Sequence, residues 1–216
     1  MQLEDEGENA VIFHSGANST FTEKHIRSIL DGGQPGDILL LQCETNLVAS
    51  MIENAKERGM IVVFNAAPYP PKTENWRDEY SSTWLFINKN EATTILANNL
   101  GQQFETGEEH LKKILELTGT KNLVVTRGGD GCEAFIKDIY YQMPAISVEK
   151  IIDTTGAGDV FLGFFLKAYF TGICNVAEPG NVPYSLRYAS AAGALAITRK
   201  GALDSIPSQD EVISFL

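Results

Sequence analysis

The sequence predicts an α/β protein built on a doubly wound, mostly parallel sheet flanked by helices. Three observations predict it. Short apolar runs of strand length alternate with longer stretches whose apolar residues recur at helical spacing, the order that builds parallel sheets. Runs such as Ile38–Gln42 and Ile61–Phe64 are apolar almost throughout, the mark of a strand covered on both faces. Polar residues stand at or just past the ends of four runs, namely Glu44, Asn65, Asn88 and Thr126. Ligands of such sheets gather at the carboxyl ends of the strands.

In chain order, Val11–His14 reads as a short strand, and Thr22 caps a helix over Glu23–Asp31 that stops at Gly32-Gly33. After the Ile38–Gln42 strand, Asn46 is placed to cap a helix carrying Leu47, Met51, Ile52 and Ala55, with Gly59 ending it. Ile61–Phe64 is the next strand, Pro68-Tyr69-Pro70-Pro71 a loop, and Leu85–Ile87 a strand ending at Asn88. Thr106 and Glu109 have the spacing of a capping box for a helix reaching Leu117. Leu123–Thr126 is a strand, and Ala134–Ile136 with Ile139–Met143 form a hairpin across Lys137-Asp138. Helices follow over Ala157–Phe170 and about Tyr184–Thr198, separated by a small insertion at Glu178-Pro179-Gly180-Asn181. Ser208 and Glu211 box a final helix. We read residues 1–216 as one domain.

The richest string is Asp153-Thr154-Thr155-Gly156-Ala157-Gly158-Asp159, which empties into the apolar run Val160–Leu166. Two glycines let the backbone bend so that the free N–H groups of a helix start converge, and such a start attracts anions. Asp159 would oppose a bound phosphate unless it had a proton to remove. An anion cradle beside a base is what phosphoryl transfer to a hydroxyl requires.

Composition bounds the alternatives. At 216 residues the chain is 44% apolar and 21% charged, as a globular enzyme is. A net charge of −11 argues against nucleic acid or an anionic membrane as partner. No apolar stretch approaches the ~18 residues of a membrane span. The acidic start, Met1–Glu6, resembles neither a secretory signal nor a transit peptide. Three cysteines, Cys43, Cys132 and Cys174, share no close spacing, and His14, His25 and His110 are scattered. They read as idle thiols in a reducing compartment and as no metal site. The expected location is the cytoplasm, or the nucleus in a eukaryote.

The signature string resembles the C-terminal signature of the ribokinase-like sugar kinases, the phosphofructokinase-B family. The likeness runs along most of the chain: Gly7-Glu8-Asn9, Gly16-Ala17-Asn18, Leu39–Glu44, Asn65-Ala66-Ala67-Pro68, Asn88-Lys89-Asn90-Glu91, Thr126–Gly131, Thr198–Ala202 and Ser205-Ile206-Pro207. The resemblance implies ATP and a small sugar, D-ribose by the ribokinase branch, as substrates, with Mg²⁺ and K⁺ as cofactors. It implies that Asp159 is the base and a sugar contact, that Gly156, Ala157 and Gly158 offer N–H groups to the transferring phosphoryl, and that Glu44 binds sugar hydroxyls. Asn88 and Glu91 would organise Mg²⁺, Glu91 through water; a bare reading makes them a helix cap and a surface acid. Asn88, Thr126, Arg127, Gly128, Gly129, Asp130, Gly131 and Gly158 would hold the nucleotide. Ser190 falls where relatives often carry Asn or His beside the adenine. Asp153, Thr155, Ala196, Arg199, Gly201 and Ser205 would surround K⁺, most through carbonyls.

Ala66 and Asn46 replace prolines of the pattern. The larger departure is that the family's N-terminal region, with its first strands, Gly-Gly signature, sugar-binding Asn and Asp and most of its lid, has no match here. The expectation is either a piece of a longer kinase or a chain that has lost sugar binding and survives as a nucleotide-binding module. Other sugar or nucleoside kinases are the alternatives within the family, and a homodimer of the full-length form is compatible with it.

Overall fold

The computed structural model describes residues 2–3, 9–10, 14–69, 76–174 and 176–216, the first two pairs as backbone. Two short strands, β1 (Gln2–Leu3) and β2 (Asn9–Ala10), pair antiparallel. Most of the expected Val11–His14 strand and Pro70-Pro71 lie outside the described residues.

The chain divides into two compact units. One comprises His14–Thr126 and Glu133–Tyr140; the other comprises Met1–Phe13, Arg127–Cys132 and Tyr141–Leu216.

The first unit holds most of a six-stranded sheet of order β3–β4–β5–β6–β7–β8. Its strands are β3 (Ile38–Gln42), β4 (Ile61–Asn65), β5 (Trp84–Asn88), β6 (Asn122–Thr126), β7 (Cys132–Ile136) and β8 (Ile139–Met143). From β3 to β6 every pairing is parallel. The links from β6 to β7 and from β7 to β8 are far too short for a crossover, so those neighbours run antiparallel. At the β7–β8 turn Lys137 and Asp138 both have positive φ, 51° and 63°, the pair of left-handed residues that matches the twist of a two-residue hairpin.

Both faces of the central strands are covered. Val62 and Val63 are adjacent, point to opposite faces and are both fully buried, as are Leu123, Val124 and Val125. One face packs against α1 (Glu23–Leu30), α2 (Val48–Glu57), α4 (Lys89–Leu100) and α5 (Glu108–Thr118), with Ile26, Ile52, Leu96 and Ile114 pressed on Phe64, Leu85 and Val125. A short α3 (Trp76–Glu79) adds Trp76 to the same core. Each such side chain contributes roughly 1.5–3 kcal/mol by leaving water.

The second unit is helical. α6 (Ala157–Thr171) packs along α7 (Val182–Ala196), and α8 (Gln209–Phe215) closes on α7. Alanines let these helices approach closely: Ala168, Ala191, Ala192 and Ala196 share one core with Val160, Tyr188 and Val212.

Three local expectations are corrected. Asn46 does not cap α2; Leu47 does, at φ 60°, with no side-chain cap. The Asn46 amide instead bridges to Phe21, accepting its N–H at 3.1 Å and donating to its carbonyl at 2.9 Å. The Thr106 box is absent, since α5 starts after Gly107 without a side-chain cap. The third is α4, which the apolar periodicity had not marked. Among the described residues no helix is long and apolar enough to cross a membrane.

Candidate active site

The signature string forms a turn that opens α6, all within the helical unit. Gly156 precedes the helix at φ 77°, a left-handed conformation that glycine adopts without penalty. Having no side chain, it leaves the helix start without a side-chain cap. The Ala157 N–H donates to Thr154 O at 3.3 Å, and the positive end of the helix dipole lies at this helix start. A Cβ on Gly158 would meet no atom within 4 Å, so space for an anion adjoins the backbone there. Asp159 stands in the first turn and is exposed. Beside it lies a groove of about 350 Å³ lined by Gly156, Asp159, Val160, Gly163, Lys167 and Tyr188, among others. Sequence reading missed Lys167, although Asp159, Gly163 and Lys167 follow i, i+4 spacing and so share one face of α6.

Behind the turn, Asp153 is buried at 2% exposure. Its Oδ1 accepts the Thr155 N–H at 3.0 Å and its Oδ2 accepts the Gly201 N–H at 2.8 Å. Hydrogen bonds from the Thr155 side chain, then from the Gly201 and Thr155 backbone, hold its carboxyl below the usual aspartate value, with Lys200 adding to the effect. Nearby in the chain, Ala196 O accepts the Arg199 N–H at 3.1 Å, and the fully buried Ser205 donates its hydroxyl to Ala202 O at 3.1 Å. The Arg199 guanidinium pairs with Glu211, and that hydrogen bond, with those from Ser208, pulls Glu211 down to about 2. Its side chain is therefore engaged away from Asp153, so its carbonyl is the group it can offer there. One buried carboxylate with hydroxyl and carbonyl oxygens suits a singly charged cation. The same unit shows no cluster of three or more His, Cys, Asp or Glu among its described residues, which is what a protein-caged divalent ion would ask for.

The Arg127–Gly131 loop is a tight turn closed by its own backbone hydrogen bonds. Gly131 N–H donates to Gly128 O at 3.0 Å, Asp130 N–H to Arg127 O at 3.1 Å, and Arg127 N–H to Gly131 O at 2.7 Å. Gly128 and Gly131 have φ of 55° and 86°. A Cβ on Gly131 would lie 2.1 Å from Met143 O, so glycine is the residue that fits. Ser190, on α7, has its hydroxyl 3.9 Å from the Cys132 thiol.

In the sheet unit, Asn65, Asn88 and Thr126 are the last residues of β4, β5 and β6, and Glu44 lies just past β3 and is exposed. Asn88 caps α4: its Oδ1 accepts the N–H groups of Asn90 and Glu91 at 2.9 and 3.0 Å, while Glu91 Oε2 accepts the Asn88 N–H at 2.7 Å. The bare reading is right that Asn88 is a cap and wrong that Glu91 is a surface acid. Glu91 is 9% exposed, and burial pushes its carboxyl up to about 7 against the opposing bonds from Asn88. The Cys43 thiol is pushed up to about 12, first by burial and then by the Glu91 charge. All three cysteines are free thiols. Capping uses one Glu91 oxygen.

A sequence profile of the pfkB family carbohydrate kinases matches residues 1–209. The chain belongs to this family. It is 30% identical over 218 residues to a ribokinase of Haemophilus influenzae, a match covering 100% of this chain and 67% of that protein. It is 29% identical over 181 residues to fructokinase-1 of maize, 81% of this chain and 54% of the relative. Among solved structures, an Arabidopsis thaliana ribokinase complexed with ribose and ATP is 25% identical with a TM-score of 0.76, covering 99% of this chain and 66% of that one. The chain thus spans between about half and two thirds of the length of these relatives, and the six-stranded, mostly parallel sheet flanked by helices is the fold they share.

Proposed function

We propose that these residues form the nucleotide and phosphoryl-transfer part of an ATP-dependent sugar kinase, converting D-ribose to ribose 5-phosphate. The observation that carries the reading is Asp159 in the first turn of α6, at a helix start left uncapped by Gly156. In that place Asp159 takes the proton of the sugar's primary hydroxyl as it attacks the γ-phosphoryl group. The N–H groups of Gly156, Ala157 and Gly158 face the charge that gathers on the transferring group. The Arg127–Gly131 loop holds the nucleotide, and Thr126, Asn88 and Ser190 are further nucleotide contacts. Glu44 contacts sugar hydroxyls.

Asn88 and Glu91 would hold hydrated Mg²⁺, which supplies positive charge to the phosphates. Asp153, with Thr155, Ser205 and the carbonyls of Ala196, Arg199 and Gly201, would hold K⁺, which steadies the turn that carries the N–H cradle. Ribose is favoured because Gly7-Glu8-Asn9, Gly16-Ala17-Asn18 and Thr198–Ala202 resemble the ribokinase branch. Fructose is the second reading, since the maize fructokinase is almost as similar.

The test is ADP release by the gene product carrying these residues, assayed with ATP–Mg²⁺ and D-ribose, D-fructose or no sugar. Ribose-dependent release well above the other two is expected. Preference for fructose would overturn the choice of sugar, and sugar-independent or absent release would overturn the kinase reading.

A further inference from the structure

Asn46, one of the two departures from proline, makes hydrogen bonds that a proline could not make. Its backbone N–H donates to Asn18 O at 3.1 Å. Its side-chain Oδ1 accepts the Phe21 N–H at 3.1 Å, and its Nδ2 donates to Phe21 O at 2.9 Å. One amide thus satisfies both backbone groups of Phe21, as a neighbouring strand would. Proline has no backbone N–H and no such side chain, whereas the Asn amide carries donor and acceptor together.

These bonds hold one end of the turn that carries Glu44. At the other end the Cys43 N–H donates to Ala67 O at 3.1 Å, so residues 44 and 45 are strung between two fixed points. Just beyond, Leu47 has φ 60° and ψ 27°, the left-handed region that a large side chain enters only where its surroundings impose it. At 37% exposure, burial of Leu47 does not impose it. Glu44 is exposed, and none of the bonds named here uses its carboxylate. The segment on the far side of the bridge, a single turn of 3-10 helix over Gly16–Ser19, contains no buried residue, so Asn46 and the packing of Phe21 fasten it.

We infer that Asn46 is a positioning residue for the sugar: by clamping the turn after β3 to Asn18 and Phe21 it fixes the direction in which Glu44 presents its carboxylate. This rests on the reading that Glu44 contacts sugar hydroxyls. α1 and α2 stay joined without the clamp, through the Ser50–Glu23 hydrogen bond at 2.8 Å and through Ile26 and Ile52 in their shared core. Loss of the amide therefore loosens the turn rather than the helices. The consequence falls on sugar affinity and not on phosphoryl transfer, whose proposed residues Gly156–Asp159 belong to the other compact unit.

The test compares steady-state kinetics of the gene product carrying these residues with its Asn46→Ala, Glu44→Gln and doubly substituted forms. The substrates are ATP–Mg²⁺ and D-ribose, or D-fructose where that is the better acceptor. Asn46→Ala should raise KM for the sugar at least fivefold, while kcat and KM for ATP stay within twofold. In the Glu44→Gln background the same change should add less than twofold, because a residue that acts through Glu44 then has nothing left to position. Asn46→Asp, which keeps the acceptor and loses the donor, should also raise the sugar KM and serves if the alanine variant does not fold. A sugar KM unchanged by Asn46→Ala but raised by Glu44→Gln overturns the inference alone, as does a fully additive effect in the double variant. No effect of Glu44→Gln, or no sugar-dependent ADP release by the parent protein, overturns the reading of the site and this inference together.

Discussion

Asp153 Oδ2 accepts the Gly201 N–H at 2.8 Å across 48 residues of sequence, tying the turn that opens α6 to the loop that follows α7. The same carboxylate holds the Thr155 N–H through its other oxygen. A cation bound among these oxygens would stiffen both loops together. Replacing Na⁺ by K⁺ at constant ionic strength should therefore raise the turnover of the sugar kinase severalfold with little change in KM for the sugar. Asp153→Asn should erase the difference. Equal turnover in the two salts would mean that no K⁺ acts here.

Asp159→Asn keeps the shape of the first turn of α6 and removes proton acceptance. A general base typically accounts for ~10²–10⁴ in rate. Turnover should fall by that much while nucleotide affinity, read by equilibrium binding, changes little. Near wild-type turnover would remove Asp159 from the base role.

Where local rules decide the structure, the sequence was easy to read. Ser208 and Glu211 form the reciprocal box expected of them, each accepting the other's N–H. Lys137-Asp138 makes the expected hairpin, and the ends of β4, β5 and β6 fall on Asn65, Asn88 and Thr126. The misreadings had long-range or compositional causes. Asn46 is drawn from helix capping by a partner 25 residues away. α4 contains Asn90, Thr93, Thr94, Asn98 and Asn99, residues of modest helix propensity; packing of Ala92, Ile95 and Leu96 offsets it. The burial of Glu91 was equally hidden, because nothing in Asn-Lys-Asn-Glu says which side of the helix the sheet will cover. Of the candidate site, strand ends and turn were legible; the bonds around Asp153 were not, since Gly201 donates from a distant loop.

Tyr188→Phe should leave the protein as stable at neutral pH or make it more so. The Tyr188 hydroxyl is buried without a hydrogen-bond partner among the described residues, and an unsatisfied buried polar group costs about 1–3 kcal/mol. Burial raises its pKa from 10.0 to about 12, with Tyr184 and Asp210 contributing. The folded state then keeps a proton that the unfolded chain loses, so this residue lowers stability as pH climbs from 10 toward 12. Urea midpoints at pH 7 and across pH 9–11 test both parts; Phe should flatten the alkaline decline. A clear loss of stability at pH 7 would show that the hydroxyl has a partner.

Gly131→Ala should damage the nucleotide loop more than any other single methyl. The new Cβ would stand 2.1 Å from the Met143 carbonyl and 2.7 Å from Ala145 N, both backbone atoms that cannot rotate away, and φ is 86°. The backbone there must move. A fall in thermal midpoint together with at least tenfold weaker ATP binding is expected, whereas Gly129→Ala, where a Cβ meets nothing within 4 Å, should retain stability. Equal tolerance of both would mean that the loop does not hold the arrangement described.

The 216 residues by themselves should bind nucleotide weakly and should not phosphorylate ribose. Glu44 and Asp159 are the two sugar contacts proposed within them, and a ribose needs several polar partners to be oriented for attack. Loss of near-attack positioning can cost ~7–11 kcal/mol of barrier lowering, far beyond what the N–H cradle of α6 could offset alone. The exposed Ile38 and Leu40 on β3 add a route to aggregation. The measurement is ADP release from ATP–Mg²⁺ with and without ribose, on the purified monomeric fraction of this chain. Ribose-dependent turnover in that fraction would show that the sugar pocket is complete within these residues, and would move the search for it to the groove between Asp159 and Lys167.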